Sequence, residues 1–460
     1  MKNIFKLLFV VFIINGCSND FIELAPFSQA DVDDFFKTGN DFEIAVNAVY
    51  DVLQDGRLYG GRFETVLEIR SDNGRFIDPT SERFDIANFT ETSDNNQIFG
   101  PYVALYQGIG RANGILDRID QAAIDDATLA ERIKGEAQFL RGLFYFHLVQ
   151  LYGDVPLVNR EITASESGDF DREPIDKIYE FIENDLKSAA MSLPVSHGSL
   201  DKGRATQGAA NGLLAKVYLT QNKTGLAKGA LEQVIASGEY SLQPNVAAIF
   251  NGNNELNNEI LFAVRFTKLG DGEGNSLLFD INGGDRTINQ DLIDAYNLLD
   301  ERLALVEYVT VTGSRVVPKK YFDVLNTSNR GGLDVPVLRY ADILLMYAEV
   351  LNEEAYIGAD DSPAFQNLNT VRERAGLAPY TTVDLVNQVT FRAAVLNERR
   401  LELALEFHRW YDLKRTNTVI STFAALGVTV QECNLIYPIP QIVIERAADP
   451  VGFPQNPTCN

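Results

Sequence analysis

Three cysteines, three histidines and one tryptophan in 460 residues leave several chemistries without material. No two cysteines have zinc-ligand spacing, and none of His147, His197 or His408 has the H-E-x-x-H companion of a zinc hydrolase. No G-x-S-x-G elbow and no phosphate-binding P-loop occur. The glycines of GDGEGNS (270–276) lack the strand–turn–helix context of a nucleotide fingerprint and the spacing of an EF-hand, and read as a solvated turn. We therefore expect no metal, no cofactor and no catalytic residues. Positive charge is also scarce, with 40 Lys and Arg against 64 Asp and Glu, a formal net charge of −24. Such a field disfavours nucleic acid, whose binding rests on cations neutralising phosphates, and favours neutral over polyanionic ligands. Long apolar runs are missing as well. The amino-terminal run Leu7–Ile14 has eight residues, whereas a membrane-spanning helix needs about twenty.

That short run has Lys2 and Lys6 before it and Asn15, Gly16 and Cys17 after it. A basic start, a short apolar core and a small residue before a cut form a secretory signal. The stretch resembles a bacterial lipoprotein leader with I-N-G-C as its lipobox. The resemblance implies cleavage before Cys17, lipidation of that cysteine and anchoring to a membrane without spanning it. Loss of the two leader lysines would take the net charge to −26. For an exported chain the leftover Cys433 and Cys459 are either a disulfide pair, stapling the carboxy-terminal tail, or two free buried thiols.

The remaining chain is rich in apolar residues, with 28 Phe and 18 Tyr, enough for a large core. Residues 17–40 read as an acidic tether. FEIAVNAVYDVLQ (42–54) shows the i, i+3, i+4, i+7 pattern of an amphipathic helix. Helical signals return at 101–121, 129–152, 174–191, 205–220, 225–237, 338–356, 362–376 and 388–415. EAQFLRGLFYFHLVQLY (136–152) is apolar almost all round, so it predicts a central buried helix closed by Gly153 and Pro156. Irregular insertions fall at about 56–100 and 238–335, the second carrying short β-like runs such as EILFAVRF and LVEYVTVTG. The fold class expected is all-α: stacked helical hairpins of the tetratricopeptide kind over 41–460, with degenerate repeats and a loop-rich face.

Six segments, in order, carry a resemblance to a known family. They are GEAQFLRGLFYFHLVQLYGDVPLV (135–158), RATQGAANGLLAKVYL (204–219), VLRYADILLMYAEVLNE (337–353), LNTVRERAGL (368–377), NERRLELALEFHRWYDLKR (397–415) and YPIPQIVIERAADPVGFPQNP (437–457). Together they resemble the SusD/RagB family of surface nutrient-binding lipoproteins of Bacteroidetes. The resemblance implies four tetratricopeptide-like helix pairs, location on the outer face of the outer membrane, and a SusC-like TonB-dependent transporter as partner. It implies capture of an oligosaccharide or polysaccharide, or of a peptide in the RagB branch, with no chemistry on the ligand. One departure stands out: the sole tryptophan, Trp410, lies inside EFHRWYDLKR and reads as packing, so any sugar stacking would use Tyr or Phe.

Two loop stretches combine flat side chains with hydroxyl-binding groups, the make-up of a sugar site. In SDNGRFIDPTSERFD (71–85) the candidates are Asp72, Asn73, Arg75, Phe76, Arg83 and Phe84; in FDINGGDR (279–286) they are Phe279, Asn282, Asp285 and Arg286. The competing enzyme reading rests on Glu398, Glu402 and Glu406, spaced i, i+4, i+8, as paired glycosidase carboxylates. Arg399, Arg400, Arg409, Lys414 and Arg415 lie beside them, which favours an ion-pair network instead. A third reading is a pure scaffold whose hairpins bind other proteins.

Overall fold

A computed structural model describes residues 35–267, 274–276, 286–310, 316–321 and 331–459. The scaffold helices are α1 (Gly39–Gln54), α2 (Asn96–Leu116), α3 (Ala127–Tyr152), α4 (Ile175–Ser192), α5 (Gln207–Thr220), α6 (Thr224–Ser237), α7 (Tyr340–Glu354), α8 (Pro363–Arg374), α9 (Gln388–Glu402) and α10 (Arg409–Arg415). Each from α1 to α8 packs on the next, and α9 packs on α7, so the array grows by laying consecutive helices side by side. The architecture is all-α and tetratricopeptide-like, with a few short strands.

Local chemistry starts these helices where the sequence provides caps. Thr38 and Asp41 form a reciprocal capping box before α1, Asp126 accepts from Thr128 N and Leu129 N at α3, and Asn387 caps α9. Every residue of α3 from Phe139 to Tyr152 is buried, as its all-round apolar pattern requires. Gly153 ends it at φ 73°, a conformation open to glycine. Gly108 of α2 lets the two helices touch, since a Cβ there would run into the Phe144 ring. A second apolar core, including Leu345, Phe365, Leu368, Phe391 and Val395, joins α7, α8 and α9.

The strands pair antiparallel in twos: β1 (Gly74–Phe76) with β5 (Arg286–Ile288), β2 (Val155–Pro156) with β3 (Arg172–Glu173), β4 (Ile260–Val264) with β8 (Val335–Arg339), and β6 (Tyr308–Thr310) with β7 (Val316–Pro318). Both β-like runs of the sequence therefore contain strands, β4 and β6. Among the described residues no helix is long and apolar enough to cross a membrane. Cys433 and Cys459 are bonded, Cα atoms 5.6 Å apart, tying the last residues back to the domain. Cys17 lies outside the described residues.

Two expectations need correction. The signal at 388–415 is two helices, because Leu405 and Phe407 take φ 66° and 68° and turn the chain between α9 and α10. The insertion at about 56–100, expected to be irregular, contains a wholly buried π-helical segment, Glu64–Ile69.

Candidate ligand-binding face

The site grows from Glu68, which is fully buried in that segment. Its carboxylate accepts from Leu405 N (2.9 Å), Phe407 N (3.1 Å) and Asn73 Nδ2 (2.9 Å). It thus satisfies the backbone donors that the left-handed turn between α9 and α10 exposes. Burial outweighs these donors and raises its carboxyl above the ordinary range. The chain then doubles back at Gly74, where a Cβ would lie 3.2 Å from Glu68 O and Ile69 Cα.

Asp72 takes Arg409 in a two-pronged pair, Nε–Oδ1 2.7 Å and Nη2–Oδ2 2.8 Å, and Arg400 at 3.1 Å. Burial pushes its carboxyl up, but the two guanidiniums together outweigh burial and hold it below the ordinary range. Arg400 also donates to Asn73 Oδ1 (3.0 Å) and to Asp291 Oδ2 (2.7 Å). One guanidinium therefore grips the residues before β1 and those after β5. Asn289 completes the clamp through Nδ2 to Asp72 O (2.9 Å) and Gly74 O (3.1 Å). The result is a short ribbon of fixed register, Gly74↔Ile288, Arg75↔Thr287 and Phe76↔Arg286.

The ribbon sets Arg75 and Phe76 of the first candidate stretch beside Arg286, the one described residue of the second. It also divides the candidates. Asp72 and Asn73 are buried and committed to internal partners, so neither can touch a ligand; both are anchors, a correction to the sequence expectation. Phe76 is 4% exposed and belongs to the core, a second correction. Arg75 points to solvent, Arg83 lies over the Phe76 ring at 5.9 Å, and Phe84 is half-buried against the core. Arg286 is placed by its backbone opposite Phe76. Phe279, Asn282 and Asp285 lie outside the described residues. Sequence reasoning missed Ile77, 44% exposed at the ribbon end, and the clamp residues Asn289, Asp291 and Arg400 in any positioning role.

Beneath the ribbon the carboxylates whose spacing suggests an acid–nucleophile pair are fully engaged. Arg339, 0% exposed, pairs with Glu259 (2.9 Å), Glu402 (2.5 Å) and Glu406 (2.7 Å). Arg302 pairs with Glu398 (2.6 Å), Glu402 (3.0 Å) and Asp300 (2.8 Å), and Lys320 with Glu406 (2.6 Å). Glu398 and Glu402 share the last turns of α9, while Glu406 lies beyond the helix end. Burial pushes the Glu402 and Glu406 carboxyls up, and their cations outweigh it and hold both ionised. Trp410 packs in the same layer, 5.3 Å from Arg70. His147 bridges Tyr59 Oη (2.9 Å) and Tyr411 Oη (3.0 Å) as a core residue. Among the described residues no group of three or more His, Cys, Asp or Glu could hold a metal.

Comparison with known proteins agrees with this architecture. A family model described as the SusD family matches residues 308–450, and one described as "Starch-binding associating with outer membrane" matches residues 20–219. SusD-like protein P2 of Formosa agariphila is 28% identical over 515 residues, spanning 98% of this chain and 99% of its own. SusD-like protein P25 of the same organism is 29% identical, with 90% of each chain covered. A SusD homolog from Bacteroides thetaiotaomicron superposes with a TM-score of 0.81 at 22% identity, covering 93% and 99% of the two chains. A laminarin-binding SusD-like protein gives 0.76 at 26% identity, covering 92% and 100%. Stacked helical hairpins, together with the match to a family model described as associating with the outer membrane, place the chain in the SusD-like class. Within that class, the chain belongs to the SusD/RagB family.

Proposed function

We propose that the protein is a cell-surface lipoprotein that captures a neutral oligosaccharide or polysaccharide and hands it to a SusC-like TonB-dependent transporter, without altering the ligand. The observation that carries this reading is the ribbon with the short helix Glu82–Asn88 that follows it: Arg75 and Ile77 on the first, and Arg83 and Phe84 on the second, offer polar donors and apolar surface, and Asp72, Arg400 and Arg409 fix the base of the ribbon. A sugar needs both, since its ring C–H groups are apolar and its hydroxyls seek polar partners. The solved relative that binds laminarin, an uncharged glucan, and the net charge of −24 support a neutral ligand. Lipid on Cys17 and the acidic residues that follow would hold the protein near its transporter. Tethering raises effective concentration, so a weak site suffices for handover. No catalytic role is assigned, because Glu398, Glu402 and Glu406 are already neutralised by arginine and lysine.

Affinity electrophoresis of residues 18–460 through gels containing laminarin, starch, levan, inulin, xylan or mannan tests the ligand class. Retardation by at least one, with no reducing ends released, is expected. Retardation by none, or release of reducing ends, contradicts the reading. Cys17→Ala should fold normally and partition away from membranes; retention would refute the anchor.

A further inference from the structure

A cleft of about 350 Å³ lies between α1, the turn 200–204 and the end of β4. Asn47, Asp51 and Gln54 line it from α1, where the spacing i, i+4, i+7 sets them in one polar stripe along the helix. Lys202 and Arg265 line it from the turn and from the residue after β4. Leu53, Ala263 and Val264, all buried, give it an apolar floor. Lys202 is exposed and makes no ion pair among the described residues. Arg265 has one carboxylate partner, Asp334 at 3.1 Å, and its side chain stays 54% exposed. Burial and the neighbouring Glu255 push the Asp334 carboxyl up to about 7, so it offsets Arg265 only in part at neutral pH. Arg204 differs, being spent on Asp201 and Glu136, both at 2.9 Å.

The two cations share one wall. Gly203 takes φ 108°, and a Cβ there would lie 3.1 Å from Arg265 Cδ, so the arginine stem runs against the residue next to Lys202. Both sides of that wall are tied to α1: Gln54 Nε2 donates to Arg265 O (2.7 Å), and Ala205 N donates to Tyr50 Oη (2.9 Å). A cleft held open in this way loses little on binding. Its volume falls within the range of small-molecule sites. Two cations with no full counter-charge call for an anion. The opposite wall offers the Asn47 amide and Gln54 Oε1, neither bonded among the described residues, and these suit hydroxyls. A neutral hexose would leave Lys202 unanswered, and a plain carboxylate would leave the α1 stripe unused. The net charge of −24 opposes a polyanion at long range, whereas one carboxylate needs only local cations.

We infer that this cleft is a binding site for a hexuronate, with the carboxylate between Lys202 and Arg265 and the ring hydroxyls on Asn47 and Gln54. The site is separate from the ribbon, and its test stands whether or not the ribbon binds a glycan.

The test uses the soluble mature protein, with glucuronate, glucose and acetate as probes in calorimetric titration. One-to-one saturable binding of glucuronate is expected, with a dissociation constant below about 5 mM. Glucose, which lacks the charge, and acetate, which lacks the hydroxyls, should each bind about threefold to tenfold more weakly. Lys202→Gln should weaken glucuronate about threefold, and Lys202→Glu should abolish its binding. Lys202 is exposed and has no partner to lose, so thermal unfolding of both variants should match the wild type. Asn47→Leu, an exposed helical position given a good helix former, should weaken glucuronate about threefold to tenfold by removing its hydroxyl contact. No saturation by glucuronate, equal affinity for glucuronate and either control, or wild-type affinity in Lys202→Glu would overturn the assignment.

Discussion

Asp72 and Arg75 stand three residues apart and have opposite fates. Asp72 is sealed between Arg400 and Arg409 and helps to fix the chain, whereas Arg75 leaves the adjoining short strand for solvent with Thr287 as its cross-strand neighbour. The contrast extends to the regions that they represent. The layer around Arg339, Arg302 and Glu402 is a closed set of charges in which each ion is matched. The ribbon presents an arginine and an isoleucine outward, and a half-buried phenylalanine follows on the short helix Glu82–Asn88. In a low-dielectric layer a charge is tolerated only with its partners, so that layer specifies geometry. On the face a side chain can vary without unfolding the protein, so that surface is where ligand preference can be set.

Breaking the layer should have the largest effect. Arg339→Met would leave Glu259, Glu402 and Glu406 short of their shared cation, and chemical denaturation should show a loss of about 3–5 kcal/mol. Acid should come next. Burial lowers His147 and His408 from 6.5 to about 3, so the unfolded chain binds protons that the folded chain refuses. Their contribution is complete above pH 6.5 and is lost as pH falls toward 3; Asp342, Asp412 and Glu402, held below the ordinary range, add losses below about pH 4. Asp334, raised to about 7 chiefly by burial, gains stability over the same range. Midpoints in urea should therefore drop between pH 7 and pH 4 by less than two histidines alone would give, and His147→Gln should make that drop smaller still. Asp72→Asn, which removes one charge of the clamp, should cost about 2 kcal/mol and weaken glycan retardation together. Arg75→Ala should sit at the other extreme, weakening retardation while stability stays within about 0.5 kcal/mol. Equal stability losses for Asp72→Asn and Arg75→Ala would erase the contrast between anchor and face.

The fold was legible where one period dominates. The apolar spacing of 42–54 and the all-round apolar run 136–152 become α1 and α3 because burial of a face or a whole cylinder leaves a pattern in sequence. Their limits shift by a few residues, with α1 starting at Gly39, inside the expected tether. The break at Leu405 and Phe407 was not legible. Two apolar residues in left-handed backbone carry no turn signature, and the carboxylate that supports them, Glu68, is more than 300 positions away. The candidate site shows the same limit. Composition singled out 71–85 and 279–286, and the ribbon pairs the first with Arg286, the one described residue of the second. Composition could not sort Asp72 from Arg75, since an aspartate that binds a sugar and one that binds two arginines look alike until the arginines arrive from α9 and α10.

Hydrogen exchange of the mature protein, with and without a glycan that retards it, tests the central claim most directly. The account predicts new protection at 74–78 and 286–288, with the buried layer around Arg339 already protected and unchanged. Protection elsewhere, with the ribbon amides exchanging as in the free protein, would contradict it.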